Sequence, residues 1–169
     1  MAARKTAASP RRPALKVPDA VTLLKQDHRE VSELLEKFES ASDAGKRSIA
    51  ERICKALTLH AQIEEEIFYP AARNVLDAKD LDLVDEADVE HASLKGLIAR
   101  IERSAPSDDH YEALVAVLGE YVKHHVKEEE HELFPKIRKA DLDLQVLGEQ
   151  LAQRKSALTG TPPPGAAQH

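Results

Sequence analysis

The chain has 169 residues, of which 42% are hydrophobic and 32% charged, with six glycines and no tryptophan. That suits one domain with a sizeable core, rich in helix formers and poor in sheet formers. Its net charge of −6 is uneven: residues 1–16 hold five basic side chains and no acid, so the remainder carries −11, which argues against a nucleic-acid partner. Cys54 is the only cysteine, so no internal disulfide forms and a reducing, cytoplasmic setting is expected. No run is long and apolar enough to span a bilayer, and there is no apolar signal-peptide core.

In chain order, residues 1–18 contain Pro10, Pro13 and Pro18 without apolar periodicity, and read as a disordered basic arm. Asp19 is a helix N-cap. The first helix runs over about 20–41, with Leu24, Val31, Leu35 and Phe38 as its apolar stripe and His28 inside it. After a connector at 42–45, a second helix begins near Lys46 and carries Ile49, Ile53, Leu57, His60, Glu64 and Phe68. Pro70 should kink or end it, because proline removes a helical hydrogen bond and clashes with the preceding turn, with a brief resumption through Val75.

A third helix over about 83–103 carries Val84, Ala87, His91, Leu94, Ile98 and Ile101. Residues 105–107 break the pattern, with Ser107 as the next cap. The fourth helix presents Leu114, Leu118, Val122, His125, Glu129 and Leu133, and meets Pro135. A shorter helix over about 144–158 is expected across one end, followed by a disordered Pro-rich tail at 159–169. Short loops make successive helices antiparallel neighbours. The expected fold is therefore all-α, an up-down-up-down four-helix bundle with a short fifth helix, occupying 19–158.

The two halves repeat each other. Asp27-His28 and Glu90-His91 are each followed by apolar residues at +3, +6, +7 and +10 and a glutamate at +11. HAQIEEEIFYP from His60 and HVKEEEHELFP from His125 share glutamates at +4 and +5, an apolar residue at +8, an aromatic at +9 and a proline at +10. Each half is thus a helical hairpin carrying one histidine, then His-x3-Glu. Residues four apart share a helix face. The repeat also settles a register: His124-x3-Glu128 overlaps His125-x3-Glu129, but only the latter puts apolar Val122 and Leu133 at matching positions.

Four histidines and two glutamates inside apolar stripes need a common explanation, since buried unpaired carboxylates are costly. A cation supplies one. Imidazole with carboxylate suits iron, manganese or zinc, and six ligands exceed one tetrahedral zinc. Two metals, each with two imidazoles and bridged by two carboxylates, use the whole set.

The order His28, His60-x3-Glu64, His91, His125-x3-Glu129 resembles the hemerythrin-like HHE cation-binding domain, over about residues 20–138. The resemblance implies a bundle around two non-haem irons bridged by oxygen or hydroxide. It implies His28 and His60 on one iron, His91 and His125 on the other, and Glu64 and Glu129 bridging. The implied ligand is a diatomic gas or peroxide: oxygen, peroxide or nitric oxide bound, sensed or scavenged. A di-iron oxidase or peroxide-consuming enzyme, and an iron-responsive interaction module, are the alternatives. Oxygen carriers of this kind have a further histidine where this chain has Lys95, and a different carboxylate spacing in the fourth helix. Lys95 is expected to snorkel to solvent, with a bound anion as its other use. Tyr121, four residues before His125, is expected in the core, with metal ligation as its other role. His110, His124, His131 and His169 are expected at the surface, and Cys54 as a buried small residue.

Overall fold

The computed structural model describes residues 17–162, and every regular element among them is helical. Helix α1 (Ala20–Ser40) starts where Asp19 accepts a hydrogen bond from the Thr22 amide at 3.0 Å. Helix α2 (Asp43–Ile63) starts three residues before the expected Lys46. The connector shrinks because the Ser42 carbonyl accepts from the Gly45 and Lys46 amides, and Asp43 places negative charge in the first turn.

Pro70 does not break the second helix. A π-helical turn, Glu64–Phe68, joins α2 to α3 (Tyr69–Val75). Helix α4 (Asp82–Glu102) follows a short 3₁₀ turn, and α5 (Tyr111–Glu128) then repeats the device: a π-turn, Glu129–Leu133, leads into α6 (Phe134–Lys139). Each wide turn opens on the glutamate of a His-x3-Glu motif, the Tyr69 amide bonding the Glu64 carbonyl and the Phe134 amide that of Glu129. Pro70 and Pro135 fall in the first turn of the next α-segment, where a missing amide hydrogen costs nothing.

Ser107 is not a cap. Asp108 accepts from the Ala105 amide at 2.8 Å and closes a turn there, so α5 begins later, at Tyr111.

In the bundle, α1 packs on α2 and α5, and α4 packs on α5 and α2. Helix α7 (Leu144–Thr159) lies against α1 and the α2 π-turn and buries Leu147, Leu151 and Ala152. Its Gly148 touches the chain entering α1, and its Arg154 grips Glu66 with two hydrogen bonds of 2.6 and 3.1 Å. Gln145 holds the Val17 carbonyl at 2.9 Å, so residues 17–18 pack with the fold rather than with the arm expected there. The rest of that arm, and residues 163–169 of the expected tail, lie outside the described residues. No helix among the described residues is long and apolar enough to cross a membrane.

Two apolar clusters fill the interior. One gathers Leu24, Ile63, Phe68, Tyr69, Val84, Leu133, Phe134 and Leu151, and the other Val31, Leu34, Ile53, Leu57, Leu94, Ile98, Leu118 and Val122. Each of the four long helices, α5 being followed into its π-turn, passes from one cluster to the other, and each changes over at a histidine.

Candidate metal centre

That changeover is a polar layer. His28, His60, Glu64, His91, His125 and Glu129 are all buried, none more than 5% exposed. The Nε2 atoms of His28 and His60 face each other at 3.2 Å, and those of His91 and His125 at 3.1 Å. Glu64 Oε2 lies 3.1 Å from His60 Nε2 and 3.4 Å from His91 Nε2. Glu129 Oε2 lies 3.2 Å from His28 Nε2 and 3.6 Å from His125 Nε2. Each carboxylate therefore spans the two histidine pairs. The ligand atoms fall into two groups, His28–His60–Glu64–Glu129 and Glu64–His91–His125, with all atoms of a group within 4.8 Å of one another.

The electrostatics of the layer fit a cation. Both oxygens of Glu64 and Oε2 of Glu129 are buried without a hydrogen-bond donor, an arrangement that is costly unless positive charge meets it. Burial works to raise the Glu64 carboxyl, but His60 and His91 outweigh it and hold it well below the carboxylate range. Burial also works against a charged His60, yet Glu64, Asp27 and Glu129 push its pKa up to about 10. In the metal-free chain a proton on imidazole takes the place that a metal ion is built to fill.

Behind each ring stands a carboxylate. His28 Nδ1 pairs with Glu130 at 2.9 Å, His91 Nδ1 with Glu65 at 3.0 Å and His125 Nδ1 with Glu90 at 2.7 Å. His60 Nδ1 faces Asp27 at 3.6 Å, and Lys155 from α7 holds the other Asp27 oxygen. Such partners fix ring orientation and leave Nε2 as the ligand atom. They occupy equivalent places in the repeat: Asp27 and Glu90 precede the first histidine of each half, and Glu65 and Glu130 are the +5 glutamates. The repeat exposed these four positions, and only the packing shows their partners.

The hemerythrin HHE cation-binding domain model matches residues 19–137. The chain belongs to that family. A crystal structure of a hemerythrin HHE cation-binding domain-containing protein from Mycobacterium kansasii superposes with a TM-score of 0.72 at 23% identity, covering 85% of this chain and 88% of that one, and shows the shared fold. A protein named DNA nickase from Nostoc sp. (strain PCC 7120 / SAG 25.82 / UTEX 2576) is 32% identical over 118 residues. That stretch is 69% of this chain and 32% of the relative, so the chain spans about a third of that protein's length.

This HHE domain has one further polar group at its centre. The Tyr69 hydroxyl donates to Glu129 Oε1 at 2.9 Å and lies 3.2 Å from His91 Nε2. Burial, then Glu64 and Glu129, push its phenol well above the usual range, so it stays a donor. Nine residues after His60, an ideal helix has turned about 900°, which points away from the site. The π-turn absorbs one residue and brings Tyr69 back to the inner face, within about 40° of Glu64. The only sequence signal was the aromatic at +9. In the other half that position is Phe134, stacked on His28 at 5.8 Å, so the pseudo-symmetry breaks here. Tyr69→Phe is expected to weaken metal binding about tenfold, since it frees one oxygen of Glu129. A chelator competition titration checks this, and unchanged affinity would remove Tyr69 from the centre.

Two expectations about neighbouring residues change. Lys95 is half-exposed but not free: its ammonium sits 2.6 Å from Glu65, the carboxylate behind His91. Tyr121 is neither core nor ligand. It is 47% exposed, because Leu118, Val122 and His125 take the inward stripe of α5 and turn it to the α1–α5 edge. Cys54 is buried, and His110, His124 and His131 are exposed, as the stripes imply. On the histidine side of the layer, Val31, Leu57, Leu94, Ile98, Val122 and Val126 line a cavity of about 20 Å³ that also touches all four rings. That volume holds about one water-sized molecule.

Proposed function

We propose that this HHE domain is a non-haem di-iron protein whose metal pair meets dioxygen, peroxide or nitric oxide. His28 and His60 serve one iron, and His91 and His125 the other. Glu64 and Glu129 would be the carboxylates open to both. The observation that carries this reading is the placement of both carboxylates across two histidine pairs, with donor-less oxygens between them. The small apolar cavity against all four rings supports a diatomic or peroxide-sized ligand. Bound iron would supply redox and oxygen-binding chemistry. The chain's own residues orient the imidazoles, hold Glu129 through Tyr69 and keep bulk water out.

A second reading, a peroxide-consuming enzyme, draws on the cavity against the four rings, which leaves room for a small reactant beside the ligand set. Nicking of DNA is not carried over from the longer relative, because the −11 charge of this chain beyond residue 16 opposes a phosphate backbone. A cytoplasmic setting accords with Cys54, whose thiol burial and Glu102 push up to about 11, where it is inert.

The deciding experiment is anaerobic loading with ferrous iron, followed by metal analysis and visible spectra with and without oxygen. About two irons per chain and an oxygen-dependent band are expected. An iron content near zero would end the di-iron reading. Steady peroxide loss over many turnovers would select the enzyme.

A further inference from the structure

We propose that His124, Glu128 and Glu90 form an outer divalent-cation site from which ions pass to the buried centre. The proposal rests on the buried layer being a metal site. It begins from the overlapping motif His124-x3-Glu128, which the bundle interior leaves unused. On the surface, His124 Nε2 lies 3.1 Å from Glu128 Oε1 and 3.4 Å from Glu90 Oε1. The three ligand atoms all lie within 4.8 Å of one another. One imidazole with two carboxylates suits a ferrous or manganous ion and leaves positions for water.

Glu90 belongs to both places. One of its oxygens faces His124, and the other is 2.7 Å from His125 Nδ1 in the buried layer. Side-chain exposure falls along this line, from 63% at His124 to 32% at Glu128, 20% at Glu90 and 3% at His125. A cavity of about 10 Å³, room for one water at most, sits at the buried end of this line, without His124 in its lining. Its walls include Glu90, Glu128, His125 and Glu129, together with the apolar Ala87 and Leu133. Glu129, 2% exposed, turns its unpartnered Oε2 to His28 and His125 in the buried layer. The link between the solvent-facing ligand set and the buried layer is Glu90 itself, whose two oxygens serve one histidine of each and can hand a cation inward. Glu86 and Glu132 add negative charge around Glu128 and raise the local concentration of cations.

The repeat does not require this arrangement. The equivalents of His124 and Glu128 in the first hairpin are Leu59 and Ile63. The outer ligands therefore stand on one side of a centre that is otherwise nearly two-fold. A surface His–Glu pair spaced i,i+4 contributes little to stability, and such a role would not account for Glu90 serving two histidines.

The full-length chain and its His124→Ala/Glu128→Gln double variant test this by two measurements. Titration with manganous ion, read by electron paramagnetic resonance, should show a weaker extra ion in the wild type that the double variant loses. Anaerobic uptake of two equivalents of ferrous iron, followed in time, should be about tenfold slower in the double variant, with the buried centre filled equally at the end. Melting of the two metal-free proteins confirms that both are folded. Equal uptake rates in two chains that both fill the buried centre would overturn the outer site alone. A wild type that takes up one ion, lost in the double variant, would keep the outer site and overturn the di-metal reading instead.

Discussion

Glu64→Gln is expected to take metal content from about two ions per chain to less than one, because this carboxylate belongs to both ligand groups. Glutamine keeps the volume and loses the charge, so the bundle still forms. What disappears is the stabilisation that metal adds. An ion at a hundred times its dissociation constant contributes about 2.7 kcal/mol, or roughly 5–10 °C of melting temperature in a chain of this size. The wild type should show that gain when metal is added, and the variant should not. A second signature separates a metal-site role from a packing role. With Glu64 neutral, His60 loses the strongest charge holding its proton, and its pKa should drop from about 10 towards 6.5 in the metal-free chain. Nuclear magnetic resonance titration of the imidazole reads this directly. A variant that binds two ions and melts like the wild type would remove Glu64 from the centre.

Gly148→Ala should produce the largest loss of stability from a single methyl group. A Cβ there would stand 2.3 Å from the Pro18 carbonyl oxygen and 2.8 Å from both the Asp19 carbonyl carbon and the Ala20 nitrogen. All three are backbone atoms at the start of α1, so neither helix can yield by turning a side chain. Overpacking of this kind costs about 1–3 kcal/mol, roughly 5 °C in melting temperature here. The damage should reach the metal layer, because α7 also carries Lys155, which holds Asp27 behind His60. Gly96 is the control: nothing lies within 4 Å of a Cβ built there, so Gly96→Ala should gain about 0.5–1 kcal/mol from helix propensity alone. Thermal melts of both variants check the pair, and equal melting temperatures would contradict the packing of α7.

The six central residues were legible because their positions follow a local rule. A histidine inside an apolar stripe, with a glutamate one turn on, must face inward if the stripe does. The duplication then chose His125 over His124, and His124 is indeed exposed. The carboxylates behind the rings were visible as repeated positions but had no readable partner. Asp27 and Glu90 serve a histidine of their own hairpin, whereas Glu65 and Glu130 reach across to the other hairpin. Which imidazole each one meets depends on how the hairpins dock. Tyr121 misled for a related reason: a spacing of four puts it near His125, but the open α1–α5 edge, and not the core, lies on that side.

Helix caps, stripes and the duplicated His-x3-Glu were written into the amino-acid order, since each depends on residues within a turn or two of one another. The two π-turns were not. An amide that bonds five residues back leaves no mark in residue type, and the prolines at 70 and 135 argued for breaks instead. Packing around Glu64 and Glu129 selects those wide turns, and they alone rotate Tyr69 onto Glu129 and Phe134 onto His28. The difference between the two halves of the centre is thus a product of assembly, because it needs the second hairpin in place before either aromatic has anything to meet.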